Sequence, residues 1–223
     1  MPSPLNAHRA RRGVTLLEVV IATGCLVLLL GAIGTVAQRG RAAAEAGVSA
    51  SALSGKAQRL VDGIASELMN ASSASLPLSP AAGRAAGQVD YRTVEGFDVV
   101  QGEIDEGPLR RIGRIPSPED PNDGLDNDGD GLVDEGNVVL VLDTAATPAC
   151  ELVLASGVTE VLEGEIAGNN VDDNGNGLVD EGGLSLQWQN GGTSVVIRAT
   201  LGARGPGGDV LLRTVVTTVH LRN

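Results

Sequence analysis

Two short acidic stretches carry oxygen donors at alternate positions, the arrangement that wraps a hard divalent cation. Asp126-Asn127-Asp128-Gly129-Asp130-Gly131-Leu132-Val133-Asp134-Glu135-Gly136 returns 46 residues later as Asp172-Asp173-Asn174-Gly175-Asn176-Gly177-Leu178-Val179-Asp180-Glu181-Gly182. Side-chain oxygens fall at the first, third and fifth positions: Asp126, Asp128 and Asp130 in one copy, Asp172, Asn174 and Asn176 in the other. A glycine at the sixth position permits a sharp turn, the backbone carbonyls of Leu132 and Leu178 come next, and Asp134 with Glu135, or Asp180 with Glu181, close each set. An oxygen-only donor set selects a hard ion, and a flexible, carboxylate-dense loop suits the six to eight ligands of calcium better than the strict octahedron of magnesium.

Five carboxylates crowd ten residues of the first copy, and their repulsion opposes a tight turn unless a cation is present. The second copy has Asn174 and Asn176 where the first has aspartates, so it is expected to bind more weakly. Neither loop is an EF-hand, because the closing glutamate stands at position ten rather than twelve and no predicted helices flank it. Both resemble the shortened D-G-x-D-N-D-x-D-G-x-x-D-E metal-binding repeats of exported bacterial proteins. The competing reading is a solvated turn rich in Asp, Asn and Gly; recurrence of the pattern favours metal. The expectation is up to two Ca2+ ions, at 123–136 and 170–182, acting as clips between strands.

A third chemical feature lies near the start of the chain. Gly13-Val14-Thr15-Leu16-Leu17-Glu18 joins a basic leader, with Arg9, Arg11 and Arg12, to 18 uncharged residues from Val19 to Val36. At ~1.5 Å per residue this run approaches the ~30 Å of a bilayer core. The leading arginines keep the leader cytoplasmic and send everything after Arg39 across the membrane. Glu18 then sits at bilayer depth, where a carboxylate costs roughly 2.5–3.5 kcal/mol and usually has a partner. If the chain is cut after Gly13, the new amino terminus at Val14 lies about one helical turn from Glu18, and the two charges can pair between neighbouring copies.

Other readings compete for this segment. A secretory signal peptide has a suitable basic region, but Glu18 interrupts its apolar core and Thr35-Val36-Ala37 makes a poor cleavage site. A lipoprotein signal would use Ala22-Thr23-Gly24 before Cys25, yet the apolar run continues past that cysteine. A plain signal anchor fits the hydropathy and leaves Glu18 unexplained.

The leader ending in Gly13, the residue at Val14 and the acid at Glu18 resemble the processing segment of type IV pilins and type II secretion pseudopilins. That resemblance implies cleavage between Gly13 and Val14 by prepilin peptidase, N-methylation of Val14, and Glu18 as the charge that recruits the next subunit. It implies as partners other pilin or pseudopilin subunits, the inner-membrane assembly platform and the membrane. It also implies a single-pass protein of the bacterial inner membrane, with a periplasmic head, that later enters a filament. Mature chains of that family usually begin with Phe or Met, whereas this one would begin with Val14.

The elements that position these residues follow from periodicity. Leu53, Ala57, Leu60, Val61, Ile64 and Leu68 recur at helical spacing, with Lys56, Arg59, Asp62 and Glu67 between them, and no proline interrupts Val14 to Ser75. One long helix is expected, membrane-spanning over 14–37 and amphipathic over 38–73. Two helices jointed near Gly40 to Gly47 are the alternative. Residues 70–87 read as a loop. Beyond it, period-two runs predict strands at 89–94, 97–104, 109–115, 137–142, 151–154, 158–166, 184–189, 194–201 and 210–221, the last two joined by a glycine-rich hairpin turn. The organisation is a leader (1–13), a two-part helix and a strand-rich head (74–223). The expected fold is α+β, a long N-terminal helix on an antiparallel sheet, as in pilins. With one Trp, one Tyr and one Phe, the core must be largely aliphatic.

The net charge of −12 makes nucleic acid a poor partner. Cys25 and Cys150 fall in different regions and are not expected to pair; Cys25 reads as a small packing residue and Cys150 as a buried or free thiol. His8 and His220, the two histidines, belong to no nucleophile or zinc pattern, so no enzymatic activity is expected. The sequence-level expectation is a minor pilin or pseudopilin stabilised by calcium, the alternative being a signal-anchored calcium-binding adhesion module that does not polymerise.

Overall fold

The computed structural model describes residues 14–76 and 84–221; the leader, with Gly13, lies outside the described residues. Helix α1 runs unbroken over Leu16–Met69, 54 residues, in place of two jointed helices. The chain divides into two units, Met1–Glu45 and Ala46–Asn223.

In the first unit the described residues form α1, and every residue from Val14 to Val48 is exposed. This stretch is long and apolar enough to cross a membrane. Cys25 is a free, exposed thiol here.

In the second unit α1 becomes amphipathic, and its buried positions are the six read from periodicity: Leu53, Ala57, Leu60, Val61, Ile64 and Leu68. The helix stops at Met69, short of the expected Ser73, because the backbone that follows joins the sheet instead. Ser72 N–H donates to the Arg92 carbonyl at 2.7 Å, and the Asn70 carbonyl accepts from Val94 N–H at 2.9 Å. A single 3-10 turn, Ser73–Ser75, follows.

Among the described residues seven strands form one sheet: β1 (Gln88–Asp98), β2 (Glu103–Pro116), β3 (Gly136–Val141), β4 (Glu151–Val158), β5 (Leu184–Gln189), β6 (Ser194–Arg204) and β7 (Val210–His220). They lie in the order β1-β2-β3-β4-β6-β5, with β7 also paired to β6. Every pairing is antiparallel. The architecture is therefore α+β, and the hairpin expected at the end of the chain is formed by β6 and β7 through Gly205 to Asp209. Alternate residues such as Val89 and Tyr91, Val138 and Leu140, Leu184 and Leu186, and Val195 and Ile197 join the helix face in one core. Tyr91 and Trp188 are buried in it, but Phe97 is 60 % exposed.

Two predicted strands are corrected. Residues 97–104 contain the turn between β1 and β2, and most of 158–166 is irregular: Val161 bridges Gly182 outside the strands, and the segment meets β6 where Thr159 N–H donates to the Thr200 carbonyl and Glu163 N–H to Thr200 Oγ1, both at 3.1 Å. Leu162 is nonetheless buried, so alternation there reports burial without ladder pairing. Cys150 is an exposed free thiol, not a buried one.

Candidate metal centres

Both acidic repeats are connections between strands. The first occupies 117–135, between β2 and β3, and the second 159–183, between β4 and β5. The two copies fold alike at their turns. Gly129 and Gly131 have φ of 77° and 92°, and Gly175 and Gly177 have 74° and 89°, conformations open to glycine and strained for other residues. Asp134 and Asp180 also share a left-handed backbone, at 53° and 50°.

Leu132 and Leu178, expected to lend carbonyls, also anchor the loops by their side chains. They are 5 % and 1 % exposed, and Leu132 lies so close to Gly202 of β6 that a Cβ there would meet its Cδ2 at 2.5 Å. The first Gly-Leu thus sets a turn and then an apolar plug against β6, and the second sets the same turn and a buried leucine.

In the first loop, carboxylate oxygens of Asp126, Asp128 and Asp130 all lie within 4.8 Å of one another. Their orientation is held by the backbone. Asp126 accepts from Gly129 N–H at 2.7 Å and Gly131 N–H at 3.0 Å, Asp128 from Asp130 N–H at 2.9 Å, and Asp130 from Leu132 N–H at 2.8 Å. The second loop repeats the scheme. Asp172 accepts from Gly175 and Gly177 N–H, both at 2.7 Å, Asn174 from Asn176 N–H at 3.0 Å, and Asn176 from Leu178 N–H at 2.9 Å. Three oxygen donors converging from one turn can hold a hard cation such as calcium.

Asp134 and Asp180, expected as ligands, also accept backbone hydrogen bonds from the start of their loops. Asp134 accepts from the N–H groups of Asp123 and Gly124 at 2.8 and 2.9 Å, and Asp180 from Asn170 N–H at 3.0 Å. Each carboxylate ties the end of its loop back to the start. Arg84 reinforces the second tie, lying 3.6 Å from Asp180 and donating to Asn170 at 2.6 Å.

Glu135 and Glu181 point inward, at 5 % and 2 % exposure. Two further buried acids, absent from the repeat, stand beside them: Asp120 at 0 % and Glu165 at 7 %. Burial pushes the Glu135 carboxyl up to about 7, helped by its hydrogen bond with Asp120, and that same bond holds Asp120 below the ordinary carboxylate range. Burial likewise raises Glu181. Arg198 offsets part of the charge at Glu181 and Arg114 part of that at Glu135, but among the described residues neither forms an ion pair with them. Sequence reasoning missed Asp120 and Glu165 because they fall at different offsets from their loops, and a repeat search finds only equivalent offsets.

Beside the first loop lies a cavity of about 310 Å³, lined among others by Asp128, Asp130, Glu135, Lys56 and Arg204. Lys56 donates to Ser156 at 3.1 Å, and Arg204 to the Gly129 carbonyl at 2.8 Å, which fastens the loop tip to β6.

In the first unit, Val14 is 70 % exposed and Glu18 is exposed in the first turn of α1. Glu18 N–H donates to Thr15 Oγ1 at 3.3 Å. Thr15-Leu16-Leu17-Glu18 is thus a helix-start signature, with an acid where the helix dipole favours negative charge. No family model, curated protein or solved structure matches this chain.

Proposed function

We propose that this chain is a structural subunit of a type IV pilus or type II secretion filament, a minor pilin or pseudopilin, rather than an enzyme. The observation that carries this reading is the division of one continuous helix. Its last turns are built into the core of a sheet, while Val14 to Val48 are exposed on every side. Leu16, Val27, Leu28 and Val36 are each at least 67 % exposed. Such a surface is unfavourable in water by roughly 25 cal/mol per Å². Lipid covers it before assembly, and neighbouring copies of the same helix cover it afterwards.

On this reading the protein begins as a single-pass inner-membrane subunit with a periplasmic head. Prepilin peptidase cuts after Gly13, Val14 is methylated, and Glu18 of an incoming subunit pairs with the Val14 amine of its neighbour on the assembly platform. The two acidic loops take up calcium and stiffen the head that the filament displays.

Mass spectrometry of the protein from its native membrane tests the proposal. A chain starting at methylated Val14 is expected, and Glu18→Leu should abolish incorporation into filaments while leaving the head folded. Recovery of active protein with residues 1–13 attached would overturn it, and would favour the anchored, non-polymerising calcium module that the two loops would equally serve.

A further inference from the structure

We infer that each acidic loop closes on its cation with a pair of buried acids, one supplied from outside the repeat: Asp120 with Glu135 in the first loop, Glu165 with Glu181 in the second. This inference rests on the calcium reading of the loops and specifies the ligand set. A carboxylate removed from water needs a countercharge or a full set of donors. These four acids are between 0 % and 7 % exposed. The ion pairs among the described residues are Arg84–Asp180, Arg92–Glu106, Arg110–Glu67 and Arg111–Asp90, so none of the four takes part in one. The bases around the two loops are engaged elsewhere: Arg114 donates to the carbonyls of Asp134 and Val158, Lys56 to Ser156, Arg204 to the Gly129 carbonyl and Arg198, the base that acts on Glu181, to Gln187.

What remains unmet is specific. Oε2 of Glu135, Glu165 and Glu181 is buried with no hydrogen-bond partner. In the second loop the opposite oxygens are already engaged in orienting the acids toward the loop: Glu165 Oε1 accepts from Asn174 N–H at 3.1 Å, and Glu181 Oε1 from the Asn176 side chain at 2.9 Å. Asp120 is oriented in the same way, with one oxygen accepting from Asn127 N–H at 2.8 Å and the other from Glu135 N–H at 3.3 Å. Asn127 lies between the loop ligands Asp126 and Asp128, and Asn174 and Asn176 are themselves loop donors, so each outside acid is fixed to its loop's ligand turn.

The arrangement recurs although its sequence does not. Asp120 precedes its loop's first donor by six residues and Glu165 by seven, and the residue 46 positions after Asp120 is Ile166. Two connections have therefore brought an acid to the same place from non-equivalent positions, which a merely solvated turn has no reason to do. The closed first site holds five acids, Asp120, Asp126, Asp128, Asp130 and Glu135. The second holds three, Glu165, Asp172 and Glu181, with Asn174 and Asn176. Higher ligand charge makes the first the tighter calcium site.

Calorimetric titration of the full chain in detergent micelles with CaCl₂ tests the assignment, together with the rise in melting temperature between chelator and calcium. The parent should bind two ions in a stronger and a weaker class. Asp120→Asn should weaken the stronger class at least tenfold and spare the other, and Glu165→Gln should do the reverse. Each variant should also lose its share of the calcium-dependent rise in melting temperature. An acid with only a structural role would lower the melting temperature equally with and without calcium. Parent-like affinities and parent-like calcium-dependent shifts in both variants would overturn the pairing. A parent that takes up no calcium would overturn the metal reading itself, and neither result bears on whether the mature chain starts at methylated Val14. If either variant fails to fold, Asp120→Glu and Glu165→Asp, which keep the charge and displace the oxygens, supply the same comparison.

Discussion

The two stretches of α1 on either side of Ala46 share a backbone conformation and little else. Before it the apolar residues surround the helix, and all are exposed; after it they occupy one stripe, and six are buried. Hydrophobicity alone does not say where a helix goes. A stripe needs one partner surface and finds it in the sheet of the same chain, whereas a fully apolar cylinder needs an apolar surround.

Core truncation should separate the two stretches most. Ile64→Ala, at a side chain with 0 % exposure, is expected to destabilise the head by about 2–5 kcal/mol. Leu29→Ala, at 61 % exposure, should leave it within about 0.5 kcal/mol of the parent. Urea unfolding followed through Trp188, the single tryptophan and itself a core residue, reads both. Equal losses would mean that the first stretch is part of the folded core after all.

A smaller effect concerns polar contacts. Glu67 accepts from Tyr91 Oη at 2.9 Å and from Arg110 at 3.0 Å, tying the helix to β1 and β2. Glu67→Gln should cost about 1–2 kcal/mol in the same unfolding assay, while Glu45→Gln on the exposed stretch should cost nothing measurable. A neutral Glu67→Gln would leave apolar packing as the only difference between the stretches.

The smallest effect probes the sheet without the helix. Arg111 donates to both oxygens of Asp90, at 2.6 and 2.8 Å, and this holds the Asp90 carboxyl below the usual carboxylate range. A depressed carboxyl stabilises the fold above the ordinary carboxylate value and loses that contribution as pH falls through its own lower value. The pair is partly exposed, so Asp90→Asn should cost only about 0.5 kcal/mol near pH 7. Parent and variant should then converge in unfolding experiments below pH 3. A gap that persists in acid would locate the effect in packing, not charge.

The buried stripe of α1, the terminal hairpin and the matching turns of the two repeats were legible in the chain because each is local. Leu53 to Leu68 report themselves by spacing, and Gly129, Gly131, Gly175 and Gly177 by the left-handed backbone that they alone adopt easily. Residues 97–104 and 158–166 were misread because alternation records which side chains are sheltered, not whether the backbone is paired. Leu162 is buried although it lies in a connection, not in a strand. Glu18 carried an unread local signal as well, since Thr15 caps the turn in which it lies.

By itself the sequence determined the long helix, its change from all-round to one-sided apolarity, and the donor order of both acidic loops, since these depend on neighbours within a few residues. Only the tertiary structure decided that Asp134 and Asp180 fasten their loops, that Leu132 packs on β6 and Leu178 is buried, and that Asp120 and Glu165 stand beside the closing glutamates. Those roles come from side chains meeting across connections that the sheet folds together, and spacing along the chain cannot express such meetings.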